Sequence, residues 1–338
     1  MNETIKRIQA YDIAKGIGII LVVWAHANGP LSWYIDQFHM PFFFRISGLL
    51  YNEKTKLNVF IRRKIFSLYI PFVFWNLMFC VLRLIVLKQN VLETLKSMIK
   101  IALTLSKDGQ FLGATWFLGA LFLVSIGYKM IDTFLAGFRY KEVSLLVIFG
   151  LIALNGITIT LPYMLSRTCI LSFYYAVGAY VKKRDIKISE RCKDYVIVGG
   201  AIFFLIFGHF NSANMGSNIY TYPMLFLINA FIASGVLLYL CKYIDKKENR
   251  CITIIKKNLI FLGMNSIDIV IWQFVVFRLV IFAQLIVYGE KISISNILSY
   301  YPIYSSDNGW WLIYLIVGIV GSLEIGKILR IGIWGKIL

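Results

Sequence analysis

Charged residues are scarce in this chain: they make up 15% of its 338 residues, and only 17 are acidic. Soluble domains average about 25% charged residues, so a surface facing water on all sides is excluded. Histidine is scarcer still, with 3 in all, and the 5 cysteines (Cys80, Cys169, Cys192, Cys241 and Cys251) show no metal-ligand spacing. They fall in apolar stretches or in connectors expected on the cytoplasmic side, which predicts neither a zinc site nor a disulfide framework. No Gly-x-Ser-x-Gly elbow and no Walker sequence occurs, which disfavours soluble-hydrolase and P-loop chemistry.

What is abundant is apolar surface: 59% hydrophobic residues, 16% aromatics and a mean hydropathy of +0.73. Apolar stretches recur between short polar connectors, many of them near the length that crosses a hydrocarbon core of about 30 Å. They lie at 14–33, 37–51, 65–87, 111–131, 143–160, 166–181, 195–210, 221–241, 266–288 and 310–329. The pattern predicts an all-α, polytopic membrane protein, a bundle of about ten transmembrane helices. The stretch 92–105 has apolar residues at helical spacing interrupted by Lys96 and Lys100, which predicts an amphipathic helix on the membrane surface. No connector is long enough for a soluble domain, so residues 1–338 are expected to form a single integral membrane domain with no fused soluble domain.

The net charge of +18 is unevenly placed. Most of the 35 Lys and Arg fall in the N-terminal arm, the alternate connectors and the C-terminal tail, the bias expected of cytoplasmic loops. Both termini are therefore expected in the cytoplasm, with the chain multi-pass in the plasma or inner membrane. The basic charge is topogenic and needs no nucleic-acid partner. The arm "MNETIKRIQAYD" runs directly into the first apolar segment, so no cleavable signal peptide is expected.

Ionisable groups within apolar segments cost a few kcal/mol each unless turned inward, which makes them candidates for function. Lys15 and His26, in "YDIAKGIGIILVVWAHANGP", are eleven residues apart. Three helical turns with about 20° left over put them on one face, about 16 Å apart along the axis. Asp12 lies on nearly the same side. His26 and His39 sit at facing ends of an expected helical hairpin, and imidazole has the pKa suited to proton transfer near neutrality. A histidine satisfied by a neighbouring helix is the plainer reading of each. Pro41 suits the first turn of a second helix, which puts Arg45 one turn further in, either as a partner for a carboxylate or carbonyl or as a fixed charge lining a cavity. The run Arg62, Arg63 and Lys64 reads as topogenic charge or, with Lys15, as a phosphate site. Trp116 belongs to an aromatic set that commonly forms interface belts and helix contacts; it is also a candidate substrate contact.

The run Asp12, Lys15, Gly16, Gly18 and His26, followed by "FHMPFFF" and Ser47-Gly48, resembles the membrane-bound acyltransferase 3 family. Within it, the chain is similar to the fucose 4-O-acetyltransferase-like and polysaccharide O-acetyltransferase branch. Further likenesses are "IPFVFWN" (70–76), "TWFLGALF" (115–122), "SFYYAVGAYVKK" (172–183) and "LGMNSIDIVIWQF" (262–274), in order along nearly the whole chain. The resemblance implies about ten membrane helices and a functional basic residue and histidine on the first helix, at Lys15 and His26. It further implies transfer of an acyl group, commonly acetyl from acetyl-CoA, to a surface polysaccharide or lipid-linked sugar. Members often carry histidine where Gln273 stands and an apolar residue where Arg45 stands.

The expectation drawn from both lines is a membrane-bound O-acyltransferase. Acetyl-CoA is the donor substrate, with no permanently bound cofactor and no metal, and the acceptor is a glycan or lipid-linked sugar among membrane lipids. His26 and His39 are the catalytic candidates, with His26 a general base or an acyl carrier. Lys15, Arg62 and Arg63 would hold the coenzyme, Arg45 and Trp116 the substrate, and Asp12 would support Lys15. The competing expectation is a transporter or flippase for a lipid-linked sugar, which would use the same polar groups without covalent chemistry.

Overall fold

The computed structural model describes residues 9–105, 112–185 and 193–332; Cys192 lies outside them. Helices follow one another throughout. They are α1 Gln9–His26, α2 Ser32–Asp36, α3 His39–Leu49 and α4 Leu57–Lys64, which continues through a π-turn at Ile65–Tyr69 into α5 Ile70–Val86. After α6 Val91–Thr104 come α7 Trp116–Phe134, α8 Lys141–Thr158, α9 Leu165–Arg184 and α10 Lys193–His209. The series ends with α11 Pro223–Lys246, α12 Arg250–Met264, α13 Ser266–Val287, α14 Ile294–Ser299 and α15 Trp310–Gly332. Among the described residues, β-structure is confined to a two-residue pairing of Ala213–Asn214 with Ile219–Tyr220.

The fold is an all-α polytopic membrane bundle, as the hydropathy pattern predicts. Among the described residues, six stretches are long and apolar enough to cross a bilayer: Leu57–Val86, Gly113–Phe134, Lys141–Thr158, Pro223–Lys246, Ser266–Val287 and Asp307–Leu329. The count of about ten also relied on four helices that fall short of that measure. α3 has 11 residues and α10 has 17, while α1 carries Asp12, Lys15 and His26, and α9 carries Arg167 and the run Lys182, Lys183 and Arg184. The stretch read as amphipathic is helical as expected: α6 exposes Leu92, Leu95, Ile99 and Leu103 and is capped by Asn90, whose side chain accepts from the Leu92 and Glu93 amides.

Two of the differences from the sequence reading bear on the site. α1 ends at His26 and not at 33, because Gly29 and Pro30 stop the helix; the chain turns through Asn28 and Leu31, both at positive φ, and Trp24 Nε1 donates to the Pro30 carbonyl at 3.0 Å. α12 falls in a stretch read as a connector, because Lys256 and Lys257 break its apolar run. Leu259 and Gly263 follow Lys256 at i+3 and i+7 on the same face of α12, and Lys256 Nζ turns back to the carbonyls of Asp245 (2.6 Å) and Lys247 (3.3 Å), so its charge is met outside the contact that Leu259 and Gly263 make with α1.

Lipid gives no hydrophobic drive to helix association, so close crossings depend on small residues that let backbones approach. Two reciprocal glycine pairs do this. A Cβ on Gly16 of α1 would overlap the Leu259 carbonyl of α12, and one on Gly263 of α12 would overlap the Asp12 carbonyl of α1. Likewise Gly48 of α3 lies against the Tyr175 carbonyl of α9, and Gly178 of α9 against the Arg45 carbonyl of α3.

The segment after α3 is fastened by charge. Glu53 pairs with Lys183 (2.5 Å) and Lys141 (3.0 Å), Lys141 reaches Asp132 (2.7 Å), and Tyr51 donates to Asp132 (2.6 Å). Hydrogen bonds from Lys183 and Lys141 hold the Glu53 carboxyl below the usual carboxylate range. The cluster ties the end of α3 to α7, α8 and α9.

The glycine crossings give a direct test. Gly48→Val is expected to lower the thermal unfolding temperature of the detergent-solubilised protein, because its neighbour is rigid backbone, whereas Gly127→Val, with no atom within 4 Å of its Cβ position, is expected to leave it nearly unchanged. Equal effects would show that the α3–α9 approach does not limit stability.

Candidate active site

The polar stripe of α1 faces a cavity of about 630 Å³. Asp12, Lys15, Val22, Ala25 and His26 line it from α1, and α3 contributes His39, Met40, Phe43, Ile46 and Ser47. The opposite wall comes from Trp116, Phe117 and Leu121 of α7, the α12–α13 junction at Gly263, Met264 and Ser266, and Val270 and Phe274 of α13. Asp12 and His26 are fourteen residues apart, about 21 Å of helix, so one continuous space runs through much of the bundle's depth. Its lysine end carries Asp12, Lys15 and Ser266. Its histidine end carries His26, Asp36, His39, residues 214–217, Tyr301 and Pro302.

At the lysine end, Lys15 Nζ lies 3.4 Å from Asp12 Oδ1, and the Asp12 side chain is only 7% exposed. A buried carboxylate needs such a partner. Lys64 of α4 is near enough to sense the charge of Lys15. Arg62 and Arg63 are exposed on α4 and do not line the cavity.

At the histidine end, the two imidazoles are held in the same way. His26 Nδ1 lies 3.0 Å from Gln273 Oε1, while Gln273 Nε2 is directed to the Val270 carbonyl at 3.5 Å. An amide oxygen only accepts, so His26 donates through Nδ1, and the neutral ring keeps its lone pair on Nε2. Gln273 itself is fully buried. His39 Nδ1 donates to the Ile35 carbonyl at 2.8 Å, which places its lone pair on Nε2 as well. Phe274 packs on the His26 ring, with centroids 4.8 Å apart.

Asp36 lies on α2, in the connector between α1 and α3, with Oδ1 3.9 Å from His39 Nδ1. Desolvation pushes its carboxyl up to about 7.

The structure therefore brings Asp12, Lys15, His26, His39 and Trp116 to one cavity. Arg167 stacks over the Trp116 ring, 5.0 Å from its centroid. Of the two readings of Arg45, its position fits the partner for a carbonyl and not the charge lining the cavity, and so not the substrate contact. Its guanidinium donates to the Phe231 carbonyl (2.9 Å) and Ser234 Oγ (3.0 Å) of α11 and lies over the Phe231 ring. The close α3–α9 crossing fixes the rotation of α3, and Arg45 projects toward α11, whose carbonyl and hydroxyl replace its lost hydration. Sequence reasoning missed Asp36, Tyr301 and residues 214–217, which sit in short connectors without periodicity. Gln273 stood out only as a departure from the family pattern.

The cavity is a two-ended polar passage between membrane helices, with an imidazole at one end and an ammonium at the other. The sequence pattern of an acyltransferase domain, that of the acyltransferase 3 family, matches residues 8–325. The chain belongs to that family and is a membrane acyltransferase by membership. No curated protein sequence matches it.

The raised Asp36 value has a thermodynamic consequence. Between its usual value of 3.8 and about 7, the folded state holds a proton that the unfolded state has released, so stability falls as pH rises through that window and levels off above it. Asp36→Asn is expected to match wild type near the low end of that window and to be progressively more stable than wild type up to about pH 7, with a constant gap beyond. Thermal unfolding of both proteins across that range checks the sign; a gap independent of pH would refute it.

Proposed function

We propose that this protein is an O-acyltransferase that moves acetyl from acetyl-CoA, arriving from the cytoplasm at the lysine end, to a sugar hydroxyl arriving at the histidine end. The observation that carries the reading is that Lys15 and His26 line one cavity from opposite ends. The excess of basic residues in alternate connectors supports cytoplasmic termini in a plasma or inner membrane, and with them a cytoplasmic lysine end. Lys15, with Arg62 and Arg63 on the adjoining surface, would hold the coenzyme's phosphates. Asp12 would keep Lys15 in place. The acyl arm would run along the polar face of α1, with Trp116 in the wall.

Chemistry would take place at His26 Nε2. The acceptor hydroxyl gives its proton to Nε2 as its oxygen adds to the thioester carbonyl. The carbon–sulfur bond breaks, and the thiolate takes the proton back from the imidazolium. The products are an acetyl ester and free coenzyme A. In the carrier variant, Nε2 attacks the carbonyl first and the acetyl-imidazole passes its acyl group to the sugar. Both routes need the lone pair on Nε2, which the Gln273 contact supports. His39 is the second candidate for proton transfer. Arg45, directed to α11, is assigned to holding α3. A flippase for a lipid-linked sugar could use the same passage, but family membership favours transfer.

Membranes bearing the chain, incubated with labelled acetyl-CoA and a polysaccharide or lipid-linked acceptor, test this. His26→Ala is expected to lower transfer about 100- to 10,000-fold, the span for a lost general base. Gln273→Leu should lower kcat roughly five- to tenfold, the worth of one hydrogen bond, with KM for acetyl-CoA unchanged. Wild type and His26→Ala incorporating equal label would end the assignment of His26, and passage of the sugar across the membrane without modification would favour the flippase.

A further inference from the structure

The histidine end is built unlike the lysine end. Three rings form a continuous aromatic surface there: His26 lies 4.8 Å from Phe274, and Phe274 lies 5.3 Å from Tyr301, centroid to centroid. Both Phe274 and Tyr301 line the cavity, and Asp36, Asn214 and Ser217 stand on its rim. Asn214 Oδ1 accepts from the Ser217 amide at 3.0 Å, which directs the amide nitrogen of Asn214 outward as a donor.

The charges at this end are one-sided. Lys15, at the far end, supplies the lysine or arginine among the lining residues, and Asp36 is the carboxylate at the near end. Two guanidinium groups stand behind lining aromatics and do not reach the cavity. Arg167 is 5.0 Å from the Trp116 centroid, and Arg278 is 6.0 Å from that of Tyr301. Arg278 donates to the carbonyls of Ile297 and Tyr300, which spends it on the backbone that carries Tyr301.

That backbone is firmly placed. Gln284 Nε2 donates to the Ser305 carbonyl at 2.9 Å, and the Tyr304 amide donates to Tyr314 Oη at 3.2 Å. Gly113 lies so close to the Tyr301 hydroxyl that a Cβ there would overlap it. The Tyr301 ring is therefore a fixed platform.

We infer that this end is an acceptor chamber for an uncharged pyranose, with Tyr301, backed by the buried Phe274, stacking on the ring and Asp36, Asn214 and Ser217 meeting its hydroxyls, and that it rejects acidic sugars. The inference rests on the acyltransferase reading and adds the class of acceptor. A pyranose offers a flat C–H face to the negative face of an aromatic ring, and its hydroxyls both donate and accept, as the rim groups require. Above about pH 7, where Asp36 is ionised, a sugar carboxylate or phosphate would enter a space whose described lining at that end holds Asp36 and no lysine or arginine, a like-charge juxtaposition that works as a filter.

The test compares a methyl pyranoside with the methyl uronoside that differs only by a carboxylate at C6, using the detergent-solubilised full chain at about pH 8, where Asp36 is ionised. Binding is read by ligand-observed NMR and transfer by labelled acetyl-CoA. The pyranoside should bind at least tenfold more tightly, and Asp36→Asn should narrow the gap. Tyr301→Ala should weaken pyranoside binding about tenfold, through loss of both stacking and buried area, without changing the Kd of acetyl-CoA. Tyr301→Phe, which keeps the ring, should bind like wild type and guards against misfolding. Equal binding of both sugars, or a Tyr301→Ala effect confined to acetyl-CoA, overturns the chamber and leaves acyl transfer standing. A pyranoside that binds as described and never gains acetyl overturns acyl transfer and leaves the chamber standing.

Discussion

An ionised or hydrogen-bonding side chain in hydrocarbon costs a few kcal/mol unless it turns inward to a partner or to water, and α1 carries three such groups, Asp12, Lys15 and His26, within 18 residues. Their spacing near multiples of 3.6 gives the helix one polar stripe, and the only stable orientation of that stripe is toward the bundle interior. The close approach of α12, made possible by Gly16 and Gly263, reinforces this rotation. Gly16 is one turn from Asp12, whose carbonyl lies against Gly263, so the crossing sits beside the polar stripe and leaves Lys15 and His26 toward the cavity that α3, α7 and α13 also line. The cavity follows from that arrangement, because the residues that face the stripe must leave it solvated or paired.

The same constraint explains what could be read from the sequence. The phase relation of Lys15 and His26 follows from helical periodicity and survives in the structure, because nothing in α1 interrupts its hydrogen bonding before Gly29 and Pro30. The family assignment was equally legible, since its motifs run along nearly the whole chain. The direction of Arg45 was not. One turn into a helix of 11 residues, its side chain could face the cavity or α11, and the α3–α9 glycine crossing decides between them. α12 was hidden because Lys256 and Lys257 break its apolar run, and only the carbonyls of Asp245 and Lys247 show where Lys256 goes. Tyr301 and Asp36 lie in connectors whose placement depends on contacts with distant helices, which periodicity cannot report.

The two ends of the passage are stabilised by different means, and this separates their tasks. At the lysine end, Asp12 and Lys15 satisfy each other, yet Lys15 remains 30% exposed, so it keeps capacity for an anionic ligand. At the histidine end, the supporting groups are mostly neutral: the Ile35 carbonyl under His39, Gln273 under His26 and the carbonyls that absorb Arg278. A cavity with a cation at one end and a carboxylate at the other favours a phosphate-bearing ligand at the first and an uncharged one at the second. The proposed meeting of two unlike substrates within one passage would require that asymmetry.

Gln273 sharpens the role of His26. The family resemblance associates histidine with this position, and an imidazole there would either donate to His26 or accept from it, with the balance changing as either ring titrates. A carboxamide does not titrate. With its nitrogen directed to the Val270 carbonyl, its oxygen accepts, which assigns His26 as the donor through Nδ1. Under the proposed reaction, protonation at Nε2 would proceed without rearrangement, because Oε1 would stabilise the imidazolium through the hydrogen bond it already accepts. The exchange of a titrating partner for a fixed dipole would then make one nitrogen of His26 the working atom of that proposal and leave proton movement to that ring and its substrate.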